Sequence, residues 1–311
     1  MDDDENVIIY DNSENKIRIR HLRGNVNFNV TGEFSISWFS YWLNDWELNT
    51  FHILNYYAPK FGREELVMGD DIKRNTYLDI GAWIGPTVLY AANFYPSVIA
   101  IEPDPVAFER LEKNVNANNY RNIKLVNKAL GFTNGNIKFG GNGELGNSES
   151  TMLVSNDDYI NKGWGSRWSS VERGQNIIDV SSITIQNLVN DNDIDPERIA
   201  LIKMDIEGGE LYLIPDLMPF LYEYDIPLYI SLHYVFLTKN HINFILNILF
   251  ENYKNCYVFD DGGERIKVNK NTILNGRLTC LVFENINKKL SDNSGRYKKI
   301  RMFVKRNLCL I

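Results

Sequence analysis

The sequence predicts an α/β fold: a doubly wound, mostly parallel sheet of seven strands with one antiparallel strand at an edge, preceded by a β/helical extension. Three observations carry this. From Thr76 onward, short apolar runs alternate with amphipathic stretches, as in a parallel sheet. Within that region TYLDIGAWIGPTVLYAANFYPSVIAIEPD, residues 76–104, reads as strand, glycine turn, helix and second strand ending on an acid. The last hydrophobic runs, 256–259 and 278–283, flank a Gly-Gly turn and suit an antiparallel pair, which reverses the strand direction at one edge.

The elements follow in order. Residues 1–35 alternate polar and apolar, as in Lys16-Ile17-Arg18-Ile19-Arg20, and predict a hairpin or small meander turning near Gly24. Residues 37–60 are aromatic-rich and helical, with Trp38, Trp42, Trp46, Phe51 and Tyr56 as packing candidates. Together 1–75 form an N-terminal extension to a domain over 76–285. In that domain strands are expected at 77–80, 98–101, 123–127, 199–204, 227–232, 255–259 and 278–284, and helices near 86–94, 104–118, 208–222 and 239–252. Pro86 is tolerated in the first turn of its helix. PDPVAFERLEKNVNAN places Phe108, Leu111 and Val115 on one helix face. Residues 140–176, rich in Gly, Ser and Asn, break the alternation and predict an irregular insertion on the ligand-binding side of the sheet. The tail from Asn285 carries eight Lys or Arg against Asp292 alone, a net +7, so the rest of the chain sums to −14. Its segment 286–311 reads either as a basic amphipathic helix on an anionic membrane or as a helix docked on the domain.

Composition bounds the function. The chain has 311 residues, 44% hydrophobic and 23% charged, with net charge −7. These values suit a globular protein and argue against a nucleic-acid partner. Cys256, Cys280 and Cys309 have neither metal-ligand spacing nor a disulfide framework. No apolar run approaches eighteen residues, and MDDDENVIIY lacks the features of a signal peptide. The expected location is cytoplasmic, with peripheral membrane contact if the tail binds lipid.

The turn after the first core strand suits a cofactor. Gly81 and Gly85 let the backbone bend sharply and approach a ligand closely. Glu102, about twenty residues on, can accept hydrogen bonds from ribose hydroxyls. The pattern is Asp-x-Gly-x-x-x-Gly, and Asp79 would repel a pyrophosphate. An acid there suits a cationic ligand such as S-adenosylmethionine. Asn127-Lys128-Ala129 follows the third strand, where backbone groups can cradle adenine. Asp104 either assists the ribose or caps the next helix, and Pro105 behind it favours capping.

Four motifs, LDIGAWIGPTVLYAA, IAIEPDP, IKLVNKALG and LIKMDIEGGEL, resemble the FkbM family of S-adenosylmethionine-dependent methyltransferases. Trp46-Glu47 with Thr50-Phe51 upstream, and Ser231-Leu232-His233 downstream, extend the likeness over roughly 38–285. Gly209 departs from it where Ala is usual, as does Tyr234-Val235-Phe236-Leu237 where PPFL often follows. The resemblance implies a Rossmann-like class I methyltransferase fold and O-methylation of a hydroxyl, most often on a sugar of a glycan or glycolipid. It implies cofactor contacts from Asp79, Gly81, Ala82, Gly85, Glu102, Pro103, Lys128 and Ala129. A non-catalytic binding or scaffold protein on the same fold, or a methyltransferase for a small-molecule or protein acceptor, are the alternatives.

Asp205, Glu207 and His233 are the catalytic candidates. Asp205 closes the fourth strand and Glu207 is expected to begin the next helix, where its charge is favoured. Glu210, a turn in, is read as a helix N-terminal charge. Asp205 and Glu207 could share a hard cation such as Mg²⁺; without a metal, one of them or His233 would be the base. In the insertion Trp164 and Trp168 could stack on a sugar ring, with Arg167 and Arg173 on anionic groups, or the tryptophans could anchor the loop. Acceptor identity and oligomeric state are not encoded in any motif of the chain.

Overall fold

The computed structural model describes residues 8–11, 16–21, 26–32, 37–38, 48–59, 67–68, 72–141, 144–148, 150–153 and 177–287. Strands β1 (Ile8–Asp11), β2 (Lys16–His21) and β3 (Val26–Thr31) form an antiparallel meander, as their period-two pattern requires. Helix α1 (Leu48–Tyr57) and the short pair β4 (Val67–Met68) and β5 (Ile72–Lys73) follow. Trp42, Trp46, the insertion centre 154–176 with Trp164, Arg167, Trp168 and Arg173, and the tail from 288 lie outside the described residues.

The alternating region begins with β6 (Thr76–Ile80), α2 (Pro86–Ala91), β7 (Ser97–Ile101), α3 (Pro105–Asn116) and β8 (Ile123–Val126). The chain then leaves the main sheet for β9 (Ala129–Leu130), β10 (Gly135–Gly141), β11 (Ser150–Leu153) and β12 (Ile178–Ile183), a second, 4-stranded sheet in the order β11-β10-β12-β9. The flanks of the insertion are therefore ordered strands, against the irregular loop expected from 140 onward. They pair because Phe139 and Val180 bury together with Ala129. Helix α4 (Ile185–Asp191) leads back to β13 (Ile199–Met204), α5 (Glu210–Tyr224), β14 (Leu228–Ser231) and α6 (Lys239–Asn252). Next come β15 (Tyr253–Phe259), β16 (Arg265–Lys267), α7 (Lys270–Gly276) and β17 (Cys280–Ile286).

The main sheet has 8 strands in the order β16-β15-β17-β14-β13-β6-β7-β8. The run from β14 to β8 is parallel throughout. Two expectations need correction: there is one strand more than seven, and β17 is not at an edge. It lies inside, antiparallel to both β14 and β15. The reason is burial. Leu281, Val282 and Phe283 are each 0% exposed, and a strand buried on both faces belongs in the middle of a sheet. The Gly-Gly turn joins β15 to the short edge strand β16 instead.

Side-chain alternation divides the sheet into two faces. Leu78, Ile99 and Ile202 pack with α4, α5 and α6. Tyr77, Val98 and Leu201 pack with α1, α2 and α3. Phe51, Ile53, Leu54 and Tyr57 of α1 are fully buried there, each apolar side chain contributing about 1.5–3 kcal/mol. Their position is fixed by polar ties: Thr50 Oγ1 to Tyr229 OH at 2.7 Å, and Tyr95 OH donating to Leu54 O at 2.7 Å. Among the described residues no helix is long and apolar enough to cross a membrane.

This topology has a switch point. From β6 the chain winds outward through β7 and β8; from β13 it winds the other way through β14. The crevice beyond the carboxyl ends of β6 and β13 is where open α/β sheets bind ligands.

Candidate active site

Two turns meet in that crevice. After β6, Gly81 has φ +84°, and a Cβ there would collide with the carbonyl oxygen of Asp205. Only glycine allows the ends of β6 and β13 to approach so closely. The Gly81 and Ala82 N–H groups both donate to Ile101 O at 3.0 Å. Gly85, φ +96°, caps α2 and lies under the Leu111 side chain.

Glu102 stands at the end of β7, only 6% exposed. Its Oε2 accepts the Trp83 N–H and its Oε1 accepts the Asp104 N–H, both at 2.8 Å. Burial outweighs these bonds and pushes its carboxyl up to about 8. Asp104 caps α3, its Oδ1 accepting from Val106 and Ala107 N–H. Its Oδ2 takes the Gly146 N–H at 2.6 Å. The Gly146 carbonyl in turn accepts from Trp83 Nε1 and Arg110, both at 3.0 Å. The insertion is thus pinned to the cofactor-side turn. Trp38 completes this wall, edge-on to Trp83 at 4.5 Å.

Gly81, Ala82, Glu102, Pro103 and Ala129 line the cleft, together with Phe139 and Thr151 from the second sheet. Asp79, Gly85 and Lys128 do not. Asp79 lies beneath the cleft, 0% exposed, where its carboxylate takes hydrogen bonds from Thr87 and from Tyr77 at 3.1 Å, and faces Lys203 at 3.2 Å. Burial outweighs Lys203 and pushes the Asp79 carboxyl up from its ordinary value.

The opposite wall is built from β13, β14 and the start of α5. Lys203 is the register partner of Asp79 across the parallel ladder, so the two side chains share a face. Its Nζ also reaches Asp205 Oδ2 at 3.1 Å. The other oxygen of Asp205 meets His233 Nε2 at 3.2 Å. Burial disfavours the Asp205 anion, but Lys203 and His233 outweigh it and hold the carboxyl below the usual range. Glu207 Oε1 lies 3.4 Å from the same Nε2, and Glu210 Oε1 lies 3.1 Å from Nδ1. Burial works against the His233 cation, yet Glu207, Glu210 and Asp205 raise it well above its ordinary value. His233 thus meets all three carboxylates through its two ring nitrogens.

Two details of this wall differ from expectation. Glu207 does not begin the helix. It sits in the preceding turn at φ +53°, with Gly208 at +96°, and α5 starts at Glu210. Glu210 is more than a helix N-terminal charge: it is 0% exposed, accepts the Ile206 N–H at 3.1 Å and lies 3.1 Å from His233 Nδ1. Lys203, Trp83 and Gly146 were absent from the sequence-based candidates, and Glu210 was read only as a helix N-terminal charge. Lys203 had a usable signal, since a lysine inside an apolar run buried on both faces must find a carboxylate.

The family model described as the methyltransferase FkbM domain matches residues 79–253, which contain both turns and His233. Among solved structures the chain is similar to the methyltransferase FkbM from Methylobacillus flagellatus KT, at 19% identity and TM-score 0.38, over 82% of this chain and 56% of that one. It is also similar to the precorrin-6y C5,15-methyltransferase from Geobacter metallireducens GS-15, at 11% identity and TM-score 0.32, over 71% and 90% of the respective chains. The chain thus spans little more than half the length of the first of these. No significant match was found among curated proteins.

Proposed function

The chain belongs to the FkbM methyltransferase family, and from that premise we propose that it methylates a hydroxyl oxygen using S-adenosylmethionine, with a sugar of a glycan or glycolipid as the acceptor. The observation that supports this most is the pairing of two unlike walls across one cleft. On one, Glu102 and the Gly81 turn form a backbone-lined cradle; on the other, Asp205 is held ionised by Lys203. The cradle fits the cofactor because both Glu102 oxygens, anchored by N–H groups, keep lone pairs for ribose hydroxyls.

S-adenosylmethionine, when bound, supplies a methyl group on a sulfonium: the O–CH₃ bond forms as the S–CH₃ bond breaks, and the hydroxyl proton leaves. The chain's residues have to align the acceptor oxygen and receive that proton. Asp205 is suited to orient the hydroxyl, being an acceptor whose charge does not depend on the acceptor's arrival. Glu207 borders the same space and is 17% exposed, so a path from the hydroxyl to water runs past it. A sugar is favoured as the acceptor by the family likeness and by the polar character of this wall. Transfer of labelled methyl from S-adenosylmethionine to sugars, glycolipids, small hydroxylated metabolites and proteins tests the reading. Label in a sugar ether supports it, label only in protein or a small metabolite changes the acceptor, and no transfer with intact cofactor binding points to a binding protein.

A further inference from the structure

We propose that Asp205, Glu207 and His233 form a binding site for a divalent first-row transition metal ion, with His233 ligating through Nε2 and oriented by Glu210. The proposal deepens the methyltransferase reading by placing a Lewis acid on the acceptor wall, but ion binding itself does not depend on that reading.

The spacing is that of ligands around one ion. Asp205 Oδ1 and Glu207 Oε1 lie 3.2 and 3.4 Å from His233 Nε2, and all three ligand atoms fall within 4.8 Å of one another. Two ligands each about 2.1 Å from an ion stand roughly 3.0 Å apart at a right angle and roughly 3.4 Å apart at a tetrahedral one. Two edges of the triangle therefore already have coordination geometry.

Charge points the same way. Three carboxylates converge on one imidazole ring, and Glu210 engages Nδ1. One proton on Nε2 cannot point at both Asp205 and Glu207, whereas a dication satisfies both. Lys203 lies on the far side of Asp205, its ammonium shared between Asp79 and Asp205 Oδ2.

The surroundings are those of a prepared ligand set. A metal-binding His is typically held by a carboxylate on its other nitrogen. Glu210 does this from a fully buried position, and its Oε2 finds no hydrogen-bond partner among the described residues. Lys203 fixes the far oxygen of Asp205. Glu207 is held at φ +53°, a conformation that costs a non-glycine residue roughly 1–2 kcal/mol. In this turn its Oε1 lies 3.4 Å from His233 Nε2. All three ligands border the cleft at 15–17% exposure, so the ion would keep open positions for water or an acceptor oxygen. A nitrogen among two carboxylates favours Mn²⁺, Fe²⁺ or Zn²⁺ over Mg²⁺, which prefers oxygen ligands and keeps its waters.

The test is Mn²⁺ titration of the metal-stripped full chain without S-adenosylmethionine, followed by electron paramagnetic resonance. One equivalent should bind, with ¹⁵N-histidine coupling visible in the spin-echo spectrum. Glu207→Ala should weaken binding at least about tenfold, and Glu210→Gln about 10- to 100-fold. Glu109→Ala, an exposed carboxylate of α3 away from the cleft, should bind Mn²⁺ as the wild type does. Failure of the wild type to bind Mn²⁺ or Zn²⁺ stoichiometrically overturns the proposal without relying on any variant's folding. So does binding without histidine coupling, or binding that is indifferent to Glu207→Ala. S-adenosylmethionine affinity, measured separately by calorimetry, tells the two readings apart. Intact cofactor binding with no metal site removes this inference alone, and a metal site with no cofactor binding removes only the methyltransferase reading.

Discussion

The two walls of the cleft each hold buried carboxylates, by opposite means. Glu102 is held by backbone N–H groups of Trp83 and Asp104, from the same short stretch of chain. Asp205 is held by charge: Lys203 from its own strand, and His233 from beyond β14, itself braced by Glu210 of α5. Amide dipoles do not fully repay the lost solvation, and Glu102 is pushed up to about 8. Ion pairing does repay it, and Asp205 stays ionised. The backbone-held wall thus binds by hydrogen bonding that tolerates either protonation state, while the charge-held wall keeps a fixed anion where a proton has to be drawn away.

The sharpest way to break this comparison is at Asp205. Asp205→Asn should lower turnover by about 10²- to 10⁴-fold, while calorimetric affinity for S-adenosylmethionine changes little. A variant with near-normal turnover would place the chemistry elsewhere.

Lys203→Met tests whether charge holds the second wall together. It leaves Asp79 and Asp205 without their shared cation, and breaking such a buried pair costs about 3–5 kcal/mol. Urea denaturation should show a lower midpoint. A loss under about 1 kcal/mol, the scale of an exposed ion pair, would mean that packing and not charge sets this wall.

Glu102→Ala should weaken S-adenosylmethionine about 10- to 100-fold, from two ribose hydrogen bonds worth roughly 0.5–1.5 kcal/mol each. The same residue predicts a pH dependence. Its carboxyl is raised in the folded chain, from an ordinary value of 4.5 to about 8. The folded state therefore binds the proton more tightly than the unfolded one. This contribution is fully present below the unfolded value and is lost as pH rises through about 8. The melting temperature of the ligand-free wild type should fall between pH 5 and 9, and fall less steeply in Glu102→Ala. Equal slopes would show that Glu102 ionises as freely as in the open chain.

The smallest effect is expected at Gly146, which clasps the insertion to the first wall. It has φ +87°, and a Cβ would press on Val106 and Arg110. Gly146→Ala should cost about 1–2 kcal/mol, read as a modest drop in melting temperature. No change would mean that the clasp is looser than its hydrogen bonds suggest.

Sequence by itself determined whatever depends on neighbours along the chain. The glycine turn, the strand ending in Glu102, the Asp104 cap and the alternation of buried strands all follow from local geometry and hydrophobic period. Placing Asp205 and His233 at the ends of adjacent strands needed only the parallel order implied by that alternation. Tertiary structure decided the rest. The place of β17 inside the sheet depends on which edge buries more surface, and a Gly-Gly turn says nothing of that. The motif at Asp79 cannot show that Lys203, distant in sequence, sits beside it in register. Glu210 looked like a helix charge because its meeting with His233 requires the packing of α5 against β14. A local pattern fixes where a side chain starts, but the groups that share its charge come from strands brought together by a buried core, and only their register decides which carboxylate is free to act.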